Sequence, residues 1–212
     1  MTSKRSYPLS HCHDLMAWQL LALCSALLCV GCGRKSVVSE LRDGTPAEAA
    51  ARVMTLYDGD KDGILAAAEL AASPGILDGL PRIDANKDGA VDLAEMTARF
   101  TVHDDLSDVI PTQVVVTADG TSLDSATVIF TPDPCMGEGK QTYRGSTVGG
   151  IAQPMGETNV MPTPIGYYTV QIVHSATGVD VTRGCEIAND TPSPNRRTFD
   201  VSGKTAAASR SR

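Results

Sequence analysis

The sequence predicts an α+β protein in which a small helical pair is followed by an antiparallel β-sandwich. Between residues 45 and 102, two acidic twelve-residue segments alternate with apolar residues at helical spacing. From residue 110 onward that spacing disappears, and short segments rich in β-branched residues are separated by glycine and proline. We therefore expect a helical domain at 45–102, a linker at 103–109 and a sandwich domain at 110–202.

The two acidic segments share one pattern. They read DGDKDGILAAAE at 58–69 and DANKDGAVDLAE at 84–95. In each, oxygen-bearing side chains occupy positions 1, 3 and 5, glycine occupies position 6, an apolar residue position 8 and glutamate position 12. This arrangement resembles the calcium loop of the EF-hand family. One copy alone is compatible with a solvated acidic turn, whereas two copies with glutamate at position 12 favour calcium loops.

The resemblance implies a calcium ion in each loop. Calcium takes about six to eight oxygen ligands, and side chains at alternate positions of a tight loop converge on one point. The implied ligands of the first ion are the side chains of Asp58, Asp60, Asp62 and Glu69 and the carbonyl oxygen of Ile64. Those of the second ion are the side chains of Asp84, Asn86, Asp88 and Glu95 and the carbonyl oxygen of Ala90.

Other loop positions agree with this interpretation. Glycine at position 6 allows the backbone angles of a sharp turn, where a side chain would be strained. Leu65 and Val91, both at position 8, are placed to pair the two loops back to back. The short interval between the loop starts resembles the compact EF-hand pairs of secreted bacterial proteins.

Helices are expected on both sides of each loop. The residues TPAE at 45–48 form a capping box before a helix that ends near residue 57. The helix after the first loop is brief because Ser73, Pro74 and Gly75 end it. The helix before the second loop is weak because Gly79 and Pro81 interrupt it. The last helix has an apolar face made of Leu93, Met96 and Phe100.

The N-terminus predicts export. Lys4 and Arg5 precede an uncharged run at 15–30 that is too short to span a membrane and fits a signal peptide. The run ends in Val30-Gly31-Cys32, which resembles the lipobox of bacterial lipoproteins and implies lipidation at Cys32. We expect a signal peptide at 1–31, a tether at 32–44 and a lipid-anchored protein of the cell envelope. The alternative is a plain secretory signal and a secreted soluble protein.

Charge and cysteine content further limit the classes of function that the sequence allows. The net charge is −7, and residues 40–108 hold 15 Asp or Glu but six Lys or Arg. Acidity concentrated around the loops suits divalent cations and disfavours a nucleic-acid partner. Beyond the leader and Cys32, two cysteines remain, and an even pair in an exported protein favours a Cys135–Cys185 disulfide. The alternative is two free buried thiols.

The C-terminal half reads as strands and turns. Strands are expected at 113–118, 126–131, 167–173, 179–182 and 198–201, and Asp119-Gly120 is a hairpin turn signal. The segments VTADGTSLDSATVIFTP at 116–132 and GYYTVQIV at 166–173 resemble the carboxypeptidase-regulatory-like, or transthyretin-like, domains. That resemblance implies a prealbumin-like fold and no enzymatic activity. The small polar residues at 203–212 predict a disordered tail.

Catalytic motifs do not emerge from the sequence. His103, Asp104 and Asp105 have no companion residues at ligand spacing, so a solvated acidic linker is preferred over a proton relay or metal site. No nucleophile motif, phosphate loop or zinc motif is present in the sequence. The protein is therefore expected not to be an enzyme.

The predicted function is calcium binding that stabilises or switches a protein-interaction surface. The alternative is a dockerin-like or adhesion module that docks a protein or an envelope saccharide. Glu69, Glu95 and the capped first helix favour an EF-hand pair over a dockerin. A saccharide site needs exposed aromatic residues, for which the sandwich offers Tyr143, Tyr167 and Tyr168.

Overall fold

The computed structural model describes residues 42–105, 111–157, 163–191, 193 and 196–202. Several predictions fall outside the described residues. They are the signal peptide, lipidation at Cys32, the tether before residue 42, residues 106–109 of the linker and the disordered tail at 203–212. No helix within the described ranges combines the length and the apolar character that crossing a membrane requires.

Four helices and a short two-stranded sheet form the part around the acidic loops. The capping box before the first helix is confirmed, because Thr45 N–H donates to Glu48 Oε2 at 2.7 Å and Glu48 N–H donates to Thr45 Oγ1 at 3.3 Å. The pairing of Leu65 with Val91 is also confirmed, in an antiparallel ladder. The elements are α1 Pro46–Tyr57, β1 Ile64–Leu65, α2 Ala67–Leu70, α3 Pro74–Ile83, β2 Val91–Asp92 and α4 Leu93–Asp105.

Helix α3 is more regular than the sequence suggests. It continues through Gly79 and Pro81 to Ile83, and the hydroxyl of Ser73 caps its N-terminus. A Cβ atom at Gly79 would lie 3.0 Å from Cε1 of Tyr167, so close packing favours glycine at this position. Packing against the sheet behind it therefore outweighs the low helix propensity of the two residues.

The remaining strands form two four-stranded sheets in the described part of the chain. One has the order β10-β3-β4 with β7 also on β3, and the other has the order β6-β5-β8-β9. The strands are β3 Gln113–Ala118, β4 Thr121–Ser122, β5 Thr127–Pro132, β6 Tyr143–Ser146, β7 Ile151–Ala152, β8 Gly166–His174, β9 Val179–Ile187 and β10 Arg196–Asp200. A 3-10 turn at Pro134–Met136 follows β5. With separate helices and sheets, the predicted α+β class is confirmed.

One strand departs from the antiparallel expectation. β10 runs parallel to β3, with Arg196 opposite Gln113 and Asp200 opposite Thr117. The strand before β10 is β9, which belongs to the other sheet. The connection between them crosses from one sheet to the other, so β10 is not restricted to an antiparallel direction beside β3. The other strand pairs of the described residues are antiparallel.

Two apolar clusters account for the packing. The first lies between the two four-stranded sheets and includes Val116 of β3, Phe130 of β5 and Tyr168 of β8. The second joins the helical part to the sheet of β8 and β9. It contains Val53 of α1, Ile83 of α3 and Phe100 of α4 together with Cys135, Met136 and Tyr167. Because successive residues of a strand face opposite sides, Tyr167 and Tyr168 serve different clusters.

Helix α3 lies directly on β8 and β9. Two glycines allow the contact: a Cβ at Gly75 would lie 2.6 Å from the backbone nitrogen of Tyr168, and one at Gly184 would lie 1.7 Å from the carbonyl oxygen of Pro74. The described helices and sheets accordingly belong to one compact unit.

The predicted disulfide is not formed. Cys135 and Cys185 are both buried and free. Cys185 faces the cluster between the two sheets, whereas Cys135 lies in the cluster beneath the helices. The sheet separates the two thiols, so the alternative of two free buried thiols holds in this structure.

The interpretation of residues 103–105 as a solvated linker is wrong. These residues form the last turn of α4. His103 is 2% exposed, and Asp104 accepts two hydrogen bonds from Arg42 Nη2, at 2.6 and 2.7 Å. Because His103 follows Met96 and Phe100 at helical spacing, it lies on the same buried face.

Candidate metal-binding loops

Each acidic segment begins at the end of a helix. We call residues 58–69 loop 1 and residues 84–95 loop 2. Asp58 N–H donates to the carbonyl of Met54 at 3.0 Å and so caps α1. Asp84 N–H donates to the carbonyl of Leu80 at 2.9 Å and so caps α3. The backbone of the first acidic residue of each loop is thus fixed by the helix that precedes it.

The two loops then follow the same backbone course. Lys61 and Lys87, at position 4, both have φ 62°, and Gly63 and Gly89, at position 6, both have φ 85°. A Cβ atom on either glycine would have nothing within 4 Å. Glycine is therefore needed at position 6 for its conformation and not for space.

Loop 1 gathers three carboxylates. Asp58, Asp60 and Glu69 each offer an oxygen, and these oxygens lie within 4.8 Å of one another. Asp58 Oδ2 accepts from Gly63 N–H at 3.0 Å. Its other oxygen, Oδ1, is buried and has no hydrogen-bond partner among the described residues. A buried acceptor without a partner is costly, so this oxygen is suited to a cation.

The glutamate at position 12 folds back over its own loop in both copies. Glu69 accepts from Gly59 N–H at 2.7 Å through Oε1 and from Ala66 N–H at 3.0 Å through Oε2. Glu95 accepts from Ala85 N–H at 3.0 Å through Oε1 and from Asp92 N–H at 3.1 Å through Oε2. Each carboxylate thus holds both ends of its loop together.

In loop 2 the polar side chains bond mainly to the loop itself. Asp84 accepts from Lys87 N–H at 2.6 Å and from Gly89 N–H at 2.9 Å. Asn86 donates through Nδ2 to Asp88 Oδ2 at 2.9 Å. Within the described residues, the trio in loop 1 is the one group of His, Cys, Asp or Glu with three ligand atoms this close. Loop 2 has Asn86 at the position of Asp60, so an amide oxygen stands there in place of a carboxylate.

The remaining predicted ligands have local roles. Asp62 Oδ1 accepts from Ile64 N–H at 2.8 Å, and Asp88 Oδ1 accepts from Ala90 N–H at 2.9 Å. Asp62 is therefore not part of the trio. Asp92, at position 9 of loop 2, accepts from Glu95 N–H at 2.8 Å and caps α4.

A buried ionic cluster, which the sequence interpretation missed, joins the two helices that flank loop 2 to the sheet. We call it the Glu186 cluster, and its members are Glu186, Arg82, Arg99, His103 and Asp190. Glu186 is fully buried on β9, and its carboxylate accepts from Arg82 Nε at 2.5 Å, Arg99 Nε at 2.7 Å and His103 Nε2 at 2.8 Å. Arg99 also makes a bidentate contact with Asp190, in which Nη1 and Nη2 donate to the two carboxylate oxygens at 2.5 and 2.9 Å.

Burial and charge act against each other in this cluster. Burial opposes ionisation of Glu186, but the hydrogen bonds from His103 and Arg99 lower its pKa to about 2. Burial lowers the pKa of His103 in spite of its contact with Glu186. Nε2 of His103 carries the proton of this contact, because the ionised carboxylate of Glu186 can only accept. The carboxylate of Glu186 is ionised and neutralised by the two guanidinium groups.

One sequence signal could have revealed this cluster. Met96, Arg99 and His103 are spaced by three and four residues, which places a cation on the buried face of α4. A buried arginine requires an anionic partner. The position of that partner on β9 depends on how α4 packs across the sheet, which sequence spacing does not define.

Comparisons of the chain with protein-family models, with curated proteins and with solved structures find no match.

Proposed function

We propose that the protein binds calcium in loop 1 and loop 2, as an EF-hand pair followed by a transthyretin-like sandwich. The observation that carries the proposal is the common course of the two loops. Each has the same φ angles at positions 4 and 6, and in each the glutamate at position 12 accepts hydrogen bonds from the backbone of its own loop. A solvated acidic turn has no need of such repetition.

The chemistry of the loops favours calcium over other metals. Their side-chain donors are carboxylate and amide oxygens, and no histidine or cysteine occurs in either sequence. Oxygen donors suit hard cations, whereas zinc is usually bound through histidine and cysteine. The buried oxygen of Asp58 gives a cation an unused ligand in loop 1. In loop 2, the carboxylates would give up hydrogen bonds to the loop backbone when they bind the ion.

The helices support an EF-hand pair over a dockerin. Loop 1 is preceded by α1, with 12 residues, and loop 2 by α3, with 10. Dockerins lack such full helices before their loops. We propose a protein of the cell envelope, anchored by lipid on Cys32, in which calcium stabilises or switches an interaction surface. Extracellular modules bind calcium at about 10⁻⁴ to 10⁻³ M. Constant occupancy outside the cell would make the role of the ions structural rather than signalling.

A saccharide site on the sheets has less support. Tyr143, Tyr167 and Tyr168 are each no more than 2% exposed. Saccharide binding needs an accessible aromatic face, and these three rings pack inside the protein. The dockerin-like or adhesion module therefore remains as a protein-docking alternative, and we propose no enzymatic activity.

A calcium titration of the purified protein, by calorimetry with far-UV circular dichroism, tests the proposal. Two sites are expected, with a Kd in the range typical of extracellular modules. Magnesium at the same concentrations serves as the matched cation, and weaker binding is expected because magnesium gives up its water reluctantly. No heat of binding at millimolar calcium would contradict the proposal.

A further inference from the structure

The apolar face of the helical part is already covered by the chain itself. Phe100 of α4 packs edge-on against Tyr167 of β8, with ring centroids 5.7 Å apart at an angle of 81°. Cys135 and Met136 fill the same cluster from the 3-10 turn. Because Tyr167 is fully buried there, the part of the chain that the structure describes leaves no open groove at this face for an outside partner.

Polar contacts tie the sheet to the residues that border each loop. Tyr57, immediately before loop 1, donates through its hydroxyl to Asp133 Oδ1 at 2.9 Å. Arg82, two residues before loop 2, donates to Glu186 at 2.5 Å. Arg99, four residues after loop 2, reaches the same carboxylate at 2.7 Å. The two helices that flank loop 2 are thus attached to one buried anion on β9.

Both loops are closed in the same structure in which these contacts are made. The turns at position 6 are formed, and Glu69 and Glu95 are already folded over their loops. Docking on the sheet and a closed loop therefore occur in the same state of the protein. A ligand that prefers closed loops also favours docking.

We propose that calcium binding is coupled to docking of the helical part on the sheet, so that the face of β8 and β9 is the built-in partner of the helical pair. The inference rests on the proposed function. Calcium then fixes Tyr167 and the Glu186 cluster in place, and does not open a groove. By thermodynamic linkage, contacts of the Glu186 cluster strengthen calcium binding as much as calcium strengthens those contacts.

Substitution of Arg82 by methionine tests the coupling without touching a predicted ligand. The variant Arg82→Met keeps an apolar stem but removes the guanidinium that links α3 to Glu186. We expect its calcium affinity in calorimetry to fall by at least about fivefold, the lower end of typical coupling between sites. The control Arg144→Met removes an exposed arginine of β6 and should leave affinity unchanged.

Hydrogen exchange gives a second readout in the wild-type protein. The backbone N–H of Glu186 is bonded to Asp78 Oδ2 at 2.9 Å, across the docking contact. Saturation with calcium should slow exchange of this amide and of its neighbours in β9. A calcium effect confined to the two loops would overturn the inference, even if Arg82→Met proved too unstable to titrate.

The outcomes separate the two proposals. Wild-type protein that binds no calcium would overturn the proposed function together with this inference. Equal affinities in wild type, Arg82→Met and Arg144→Met would leave calcium binding intact and overturn the coupling alone. A loss of affinity in Arg82→Met alone, with slower exchange in β9, is the result we expect.

Discussion

Gly184 of β9 lies directly against the carbonyl oxygen of Pro74, the first residue of α3. A Cβ atom at Gly184 would lie 1.7 Å from that oxygen. The φ angle of Gly184 is outside the left-handed region, so the strand conformation itself accepts other residues. The glycine is there because the helix backbone rests on the strand.

The variant Gly184→Ala should therefore be strongly destabilised. Its methyl group forces α3 away from the sheet, and overpacking of this kind lowers the free energy of unfolding by about 3 kcal/mol or more. Urea unfolding followed by circular dichroism measures the change. The exposed Thr182 on the same strand gives the control Thr182→Ala, which should stay within about 0.5 kcal/mol of wild type. Equal stability of the two variants would show that the helix does not rest on Gly184.

Acidification should lower the free energy of unfolding because it protonates Glu186. Its pKa of about 2 in the folded protein lies below the ordinary value of 4.5. The stabilisation is complete above pH 4.5 and is lost as the pH falls from 4.5 towards 2, because the unfolded chain binds the proton first. The difference corresponds to about 3 kcal/mol. The pKa of His103 is also lowered in the folded protein, so a further part of the stability is lost as the pH falls below the ordinary histidine value of 6.5.

The variant Glu186→Gln isolates this contribution. It should have a lower free energy of unfolding at neutral pH and a flatter dependence on pH between 4.5 and 2. The control is Glu157→Gln, the same change at an exposed position away from the cluster. If the free energy of unfolding depended on pH in the same way in wild type and Glu186→Gln, Glu186 would be excluded as the source of the acid sensitivity.

Loss of the carboxylate at position 12 should impair calcium binding loop by loop. Glu95→Gln removes an anionic oxygen from loop 2 and should lower affinity there by more than about tenfold, while loop 1 keeps its site. Glu69→Gln should do the converse. Calorimetry at fixed ionic strength measures both, again with Glu157→Gln as the matched control. Near-wild-type affinity in Glu95→Gln would remove Glu95 from the ligands.

The two thiols should be unreactive in the native protein. Burial raises the pKa of Cys185 to about 12 and that of Cys135 well above its ordinary value, and the thiolate is the reactive form. We expect alkylation of the Cys135 and Cys185 peptides, read by mass spectrometry, in denaturant but not before. Recovery of the two peptides as one disulfide-linked species would contradict the structure.

Local patterns predicted much of the fold because they depend on neighbouring residues. The capping box at Thr45, the pairing of Leu65 with Val91 and the strand at 113–118 all follow from spacing and side-chain type. The turn at Asp119-Gly120 is confirmed by φ angles of 51° and 73°. Three of the predicted ligands in loop 1 lie together for the same local reason.

Features that depend on distant contacts were not predicted. Pro81 is accommodated in α3 because the sheet holds the helix, and His103 is buried because β9 provides Glu186 at its side. Cysteine counting favoured a disulfide, but the sheet keeps Cys135 and Cys185 on opposite sides. In each case the deciding neighbour is far away in sequence, where periodicity carries no information.

The consecutive tyrosines of β8 also affect whether the helical part or the sheets could be transferred alone to another protein. Tyr168 completes the interior of the sheets, whereas Tyr167 completes the interior of the helical part. A cut after residue 102, the predicted end of the helical domain, would divide α4 from its last turn. It would also separate Phe100 from Tyr167 and expose both rings to water. Transplanting loop 1 and loop 2 into another protein thus requires a substitute surface for β8 and β9.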